Sequence, residues 1–355
     1  MYRGGPAYYI EKGLGKRWYA VLFAISTVIG CGLLLPGTQS NAMVSALDEA
    51  WSAPGWITAA GIGTVVAMVI FGGVRRIAQV AQVIVPFMAL GYLVVAAVVM
   101  ALNLDAVPEM FSIILRSAFG QDAAFGAMIG TAIQWGVRRG VMSNEAGMGS
   151  GAHPAAAAEV SHPVKQGLVQ ACSVYIDTMV VCSATAFLIL SAGTYNVHDP
   201  AAPAQWIVAN VPGLEAGPRF VQQAVESALP GFGRSFIALA ILPFAFTTIL
   251  ALYYTAETNV VYLLRNRNSP WVMALFRLGF LGAMLYSALN SATVAWSLGD
   301  IGVGLMTWLN IIALLLLQKP ALAALRDYEA SRGAGKDPVY RPNYITVPEN
   351  SVWLR

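Results

Sequence analysis

Long apolar runs, most of them nearly free of charge, dominate this chain and set its solvent. A helix crossing a bilayer needs about 20 apolar residues, because every backbone polar group must be satisfied inside the segment. By that rule the sequence holds about eight spans: residues 18–47, 56–71, 77–102, 123–160, 168–192, 236–264, 271–289 and 293–317. Hydrophobic residues make up 57% of the 355 and charged residues only 11%, where a soluble domain carries roughly 25%. Such a chain cannot coat a water-facing surface, so it is read as an all-α, polytopic membrane protein. The net charge of +3 leaves no nucleic-acid footprint. Residues 1–9, MYRGGPAYY, have no apolar core of a signal peptide.

Basic residues near span ends give the orientation. One set of loops holds Arg3, Lys12, Lys16, Arg17, Arg75, Arg76, Lys165, Arg265 and Arg267; the other holds Asp48, Glu49, Asp105, Glu109, Asp122, Asp199, Glu215 and Glu226 against Arg116, Arg219 and Arg234. The first set is therefore cytoplasmic. Residues 193–234, with Pro200, Pro203, Pro212, Pro218 and Pro230, read as an extracytoplasmic loop with short helices. Residues 1–317 form one transmembrane domain, and 318–355 a charged cytoplasmic tail. Trp18, Trp51, Trp56 and Trp271 fit interfacial anchors. Cys31, Cys172 and Cys182 lie in apolar runs and read as small buried hydrophobes.

The chemistry concentrates in residues 136–165, GVRRGVMSNEAGMGSGAHPAAAAEVSHPVK. Arg138, Arg139, Ser143, Asn144 and Glu145 arrive at membrane depth, followed by glycines and Pro154. Glycine and proline favour an interrupted helix around residues 140–149, and freed backbone groups beside a wet cavity suit a small zwitterion or a cation. The second half-helix would turn its positive N-terminus to a carboxylate. The bland alternative is a helix that ends near Gly140 and an ordinary loop. An ionised Glu145 at mid-bilayer costs roughly 2.5–3.5 kcal/mol, so it calls for a partner, Arg138 or Arg139 being nearest in sequence. Asp177, Glu257 and Asp300 are intramembrane acids, either functional or helix-packing groups. Thr247 and Thr248 put two hydroxyls into an apolar helix, either as cation ligands or bonding back to their own turn. Gln39 and Asn41 follow Pro36 and Gly37 and either face a cavity or bond between helices. No nucleophile–base pair, phosphate loop or transition-metal ligand set is present.

Residues 139–170, RGVMSNEAGMGSGAHPAAAAEVSHPVKQGLVQ, closely resemble the signature region of the alanine/glycine:cation symporters. GGPAYYIEKGLG at 4–15, GGVRRIAQVAQVIVPFMAL at 72–90, YIDTMVVCSATAFLIL at 175–190 and LPGFGRSFIALAILPFAFTTIL at 229–250 resemble them too. The resemblance implies a leucine-transporter-like fold of two inverted five-helix repeats that couples uptake of small neutral amino acids to sodium across the bacterial inner membrane. Residues 18–47 then match core helix three, 123–160 helix six, 236–264 helix eight and 293–317 helix ten. It also implies an amino-acid site at Ser143, Asn144 and Gly147, with Gln39 reaching in from the first span. Thr247 and Thr248 would be sodium ligands, and Arg139, Glu145 and Asp177 structural or coupling residues. The family has helices upstream of GGPAYYI that nothing here resembles. The sequence therefore leads us to expect a partial fold, core helices three to ten, and a chain inactive alone, or else a non-transporting remnant or subunit.

Overall fold

The longest packed element is a span that changes its helical pitch midway. In the computed structural model, helix α2 (Arg17–Ile29) runs through a π turn at Gly30–Leu34 into α3 (Pro36–Trp51), together one apolar span of 35 residues. Pro36 explains the wide turn. It has no N–H to give the carbonyl four residues back, and its ring crowds that carbonyl. The chain relaxes to a five-residue step, with Leu35 N donating to Gly30 O at 2.9 Å. The structure describes residues 3–72, 74–119, 125–198, 206–215, 217–265, 267, 269–333, 335 and 337–340, with backbone alone for 74–85, 119, 125–129, 131 and 132. Asp122, Asp199, the side chains of Arg75 and Arg76, and the tail beyond Tyr340 lie outside the described residues.

Around α3 pack α12 (Gly233–Leu263), α13 (Pro270–Ala288) and α14 (Ala292–Leu316). Phe23, Tyr253, Phe280, Met284 and Met306 are fully or almost fully buried between them. Tyr253 stacks on Phe276 with centroids 5.6 Å apart and meets Phe280 edge-on at 5.4 Å. Lipid is as apolar as these side chains, so close packing rather than water exclusion holds such helices together. Gly30 and Gly302 supply it. A Cβ on Gly302 would lie 3.1 Å from Gly30 Cα, so two backbones touch where any larger residue would prise them apart.

Helix α1 (Pro6–Leu14) precedes the first span, and α4 (Gly55–Phe71), α5 (Val74–Leu102), α6 (Val107–Phe119) and α7 (Phe125–Asn144) follow it. After α7 come a single turn, α8 (Ala152–Ala155), then α9 (Pro163–Ile176), a second π turn (Asp177–Cys182) and α10 (Ser183–Ser191). Among the described residues, five helices are long and apolar enough to cross a membrane, and a sixth span is counted if Pro86–Leu102 and Leu104–Ala118, bent by 79° at their junction, are taken as one. That is fewer than the eight read from the sequence. Helix α4 is apolar but has 17 residues, and α7 carries two arginines. The protein is nonetheless an all-α, polytopic membrane protein.

The loop expected at 193–234 is more than short helices. It holds a two-stranded antiparallel ribbon, β1 (Asn196–His198) with β2 (Trp206–Ala209), before α11 (Pro218–Ala228). Arg219 Nη2 donates to Asp48 Oδ2 at 2.9 Å, and Gln222 Nε2 to Ala46 O at 2.9 Å, so α11 is fastened to the end of α3, and charges assigned to one membrane face do meet. At the opposite face α15 (Gln318–Gly333) and the segment after it fold back on the start of α9. Ser161 Oγ donates to Pro338 O at 3.0 Å, Tyr340 N to Ser161 O at 3.0 Å, and Lys165 Nζ lies 2.5 Å from Asp337 Oδ1. Buried His162 accepts from Val164 N through Nδ1, which leaves the Nε2 proton for Asp327 Oδ2 at 3.4 Å.

Candidate substrate site at the end of helix α7

Helix α7 stops at Asn144, and Glu145 has φ +54°. The left-handed region costs a non-glycine residue about 1–2 kcal/mol, and here the surroundings hold it: Ser150 Oγ donates to Glu145 Oε2, and Met148 N to Glu145 O at 3.1 Å. Gly147 (φ +84°) and Gly149 (φ +88°) continue the turn without a Cβ penalty. The helix thus ends inside 140–149 and passes into turns, the alternative to an interrupted helix with two facing halves. The expected second half-helix is not formed. Residues 145–162 are turns around the four-residue α8, because Pro154, Gly147, Gly149 and Gly151 deny the segment a continuous ladder. No half-helix there directs a dipole at a carboxylate.

The turn is held from three sides. His153 is fully buried; Nδ1 meets Ser150 O at 3.0 Å, so Nε2 is the acceptor for Asn259 Nδ2 of α12 at 2.8 Å. The N-terminal segment closes on it: a Cβ on Gly4 would strike Ala156, one on Gly5 the His153 ring, and one on Gly149 the ring of Pro6 at 2.6 Å. From α14, Asn310 donates through Nδ2 to Gly147 O at 2.8 Å and accepts from Tyr9 OH.

Between the end of α7, the π turn of the α9–α10 span and α14 opens a cavity of about 690 Å³, within the roughly 300–1,000 Å³ range of small-molecule sites. Ser143, Asn144, Glu145, Gly147 and Asp177 line it. Ser143 Oγ donates to Asp177 Oδ2 at 2.6 Å and lies 3.3 Å from Cys182 Sγ, while Thr178 Oγ1 donates to Asn144 Oδ1 at 2.9 Å. The π turn makes this possible, since its extra residue per turn puts Asp177, Thr178 and Cys182 on the side facing α7. Cys182 therefore belongs to a polar cluster, and Cys172 is exposed; of the three cysteines only Cys31 is a buried hydrophobe.

Other sequence expectations are corrected here. Neither Arg138 nor Arg139 pairs with Glu145. Both reach Asp300 on α14, Arg139 Nη2 at 2.5 Å from Oδ1 and Arg138 on Oδ2. Their guanidinium groups also sit over the Trp135 ring at 5.1 and 5.4 Å, and Arg139 over Trp296 at 5.0 Å. Glu145 turns instead to the nearer Ser150, because the break carries its backbone away from the arginine face. Gln39 lies outside the cavity lining; its Nε2 is 3.4 Å from Thr38 Oγ1 on its own helix. Its neighbour Asn41 bonds across to Ser287 O and Asn290 O.

Thr247 and Thr248 sit half-buried on α12, donating to Pro243 O at 2.9 Å and Phe244 O at 3.0 Å. Donation uses the proton and leaves oxygen lone pairs free for a cation. Tyr9, Thr178 and Asn310 were missed as site residues. Asn310, a lone amide in TWLNIIALL, carried a readable signal, since such a group needs a partner inside a membrane.

Apolar spans enclosing a polar cavity at a helix break are the build of a secondary transporter. The chain belongs to the sodium:alanine symporter family, whose family model matches residues 1–342; that is a family of transporters, not of enzymes. YrbD of Bacillus subtilis strain 168 is 53% identical over 353 residues, covering 99% of this chain and 72% of YrbD. The sodium/proton-dependent alanine carrier protein of Bacillus sp. strain PS3 is 47% identical, over 92% of this chain and 73% of its own length. The sodium/alanine symporter AgcS of Methanococcus maripaludis is 31% identical, over 93% and 70%. The chain spans about 70–73% of the length of these three relatives.

Proposed function

We propose that this protein is a sodium-coupled symporter that imports small neutral amino acids, alanine or glycine, across the bacterial inner membrane. The observation that carries the reading is the polar cavity where α7 breaks, lined by Ser143, Asn144, Gly147 and Asp177 in a chain of this family. In it the ammonium of the substrate meets the Asp177 carboxylate and Asn144 Oδ1. Once the ammonium has taken over Asp177, the Ser143 hydroxyl turns its one proton from Asp177 to the substrate carboxylate, which the backbone of the glycine turn also holds. Sodium is held on α12 by the hydroxyl oxygens of Thr247 and Thr248, hard donors suited to a hard cation. Arg139 serves as a structural charge pinned by Asp300. Residues 1–317 act as one transport domain with a leucine-transporter-like repeat arrangement, and 318–355 as its cytoplasmic tail. Named relatives that carry alanine with sodium favour this reading over a non-transporting remnant. The test is radiolabelled alanine accumulation in proteoliposomes under an inward sodium gradient. Accumulation should disappear when a sodium ionophore collapses the gradient; uptake equal to empty vesicles under the intact gradient refutes the assignment.

A further inference from the structure

A second cavity, of about 430 Å³, opens among α4, α12 and α13, away from the α7 break. Three arginines line it, Arg3, Arg267 and Arg277, against one acid, Glu257. The lining therefore carries a net charge of +2. Arg277 is fixed in place: its Nε donates to Tyr253 OH at 3.0 Å and its guanidinium lies 5.1 Å over the Phe71 ring. Among the described residues, neither the Arg3 nor the Arg267 guanidinium has an ion pair or hydrogen bond, and Glu257 is the one acid that shares their cavity. The start of α13 opens into the same space through Ser269 and Pro270. No side chain caps it, so the orphan N–H groups of a 19-residue helix add positive potential there.

Depth is set by two independent marks. Trp271, 85% exposed, is the next residue of α13, and exposed tryptophan at a span end belongs at headgroup level. Arg265 and Arg267 place this end on the cytoplasmic face, where anionic lipids give a negative surface potential. Apolar Phe71, Val261 and Met273 complete the wall beneath the charges, the arrangement a glycerophosphate with acyl chains would meet.

The geometry points to a binding site for the phosphate of an anionic phospholipid from the cytoplasmic leaflet. Arg3 and Arg267 take the phosphate oxygens, the α13 N–H groups the remaining lone pairs, and Arg277 sets the floor of the site. A free phosphate ion shares this chemistry but not the apolar wall.

Native mass spectrometry of the whole protein in detergent separates the two. Phosphatidylglycerol should be retained about tenfold more strongly than phosphatidylcholine of the same chains. The double variant Arg3→Gln/Arg267→Gln should abolish that preference, while Arg116→Gln, on α6, keeps it. This double variant spares the Arg277–Tyr253 bond, and circular dichroism confirms that it folds. Millimolar inorganic phosphate should not displace the lipid. Equal retention of both lipids, or an undiminished preference in the folded double variant, overturns the site. Displacement by inorganic phosphate overturns the lipid as its occupant.

Discussion

The Ser143 hydroxyl donates to the Asp177 carboxylate across 2.6 Å, joining the last turn of α7 to the π turn of the next span. A hydrogen bond to a charged group contributes about 1.5–3 kcal/mol. Ser143→Ala removes that donor and one proposed ligand of the substrate carboxylate. It should raise the KM for alanine about tenfold or more, with protein level unchanged. A KM within twofold of the parent in vesicle uptake would remove Ser143 from the substrate site.

Thr247 and Thr248 are separable from the helix they sit on. Valine keeps their shape and deletes only the oxygen. In Thr247→Val and Thr248→Val the sodium concentration for half-maximal uptake should rise several-fold, while the alanine KM at saturating sodium holds. If both variants keep the parental sodium curve, the hydroxyls serve only their own helix, bonding to Pro243 O and Phe244 O.

Gly149 combines φ +88° with contacts that leave no room: an added Cβ would sit 2.6 Å from Pro6 and 3.0 Å from Asn310. Gly149→Ala should therefore lose about 1–3 kcal/mol of stability and loosen the N-terminal segment from the turn. A lower unfolding temperature in detergent, with faster amide exchange at residues 4–9, is the readout. Gly91→Ala, where a Cβ meets nothing within 4 Å, is the matched control.

Asp300 is shared by two guanidinium groups, which leaves the trio one positive charge in excess, at a site where its own side chain is 13% exposed. Removing it by Asp300→Asn leaves both cations, 40% and 34% exposed, without a counter-charge. The cost should fall between the surface and buried limits, about 1–4 kcal/mol. The triple change that also converts Arg138 and Arg139 to Gln should regain part of it. A triple variant less stable than Asp300→Asn would mean that the arginines contribute chiefly through Trp135 and Trp296.

Acid sensitivity is expected outside the membrane. The Glu226 carboxylate accepts from Arg234 N at 3.0 Å and Gly231 N at 2.7 Å, and these backbone N–H groups, Arg234 first, hold its pKa below the usual carboxylate value. A depressed folded pKa means the stabilisation is fully present above the ordinary glutamate range, near pH 4.3, and is lost as pH falls through the folded value. Amide exchange at Gly231 and Arg234 should accelerate below about pH 4 in the parent. In Glu226→Gln it should show no such acid step.

What the sequence disclosed depended on range. Apolar runs are local, so the all-α membrane class could be read directly, although five or six long apolar helices stand among the described residues where the sequence suggests about eight spans, and so could the stop of α7 just before Gly147 and Gly149. The π turn at Asp177–Cys182 could not, since one extra residue in an apolar helix leaves the hydropathy pattern unchanged. Partners 161 residues apart, such as Arg139 and Asp300, were equally hidden, and sequence proximity suggested Glu145 instead. Thr247 and Thr248 could be picked out as hydroxyls in an apolar helix, but only the family resemblance suggested a cation, and their hydrogen bonds are those of any threonine bonding back to its own turn.

The clasp between the tail and the start of α9 has a consequence for biogenesis. Its contacts join Ser161 to Pro338 and Lys165 to Asp337, so the first partner of each leaves the ribosome long before the second. Everything from α10 to α15 must be synthesised before these contacts can close. Until then His162, buried in the finished protein, lacks its partners Asp327 and Tyr328. Synthesis of residues 337 and 338, rather than formation of α9, completes that corner of the molecule, and a nascent chain stopped near residue 317 would hold its long apolar helices with this seam still open.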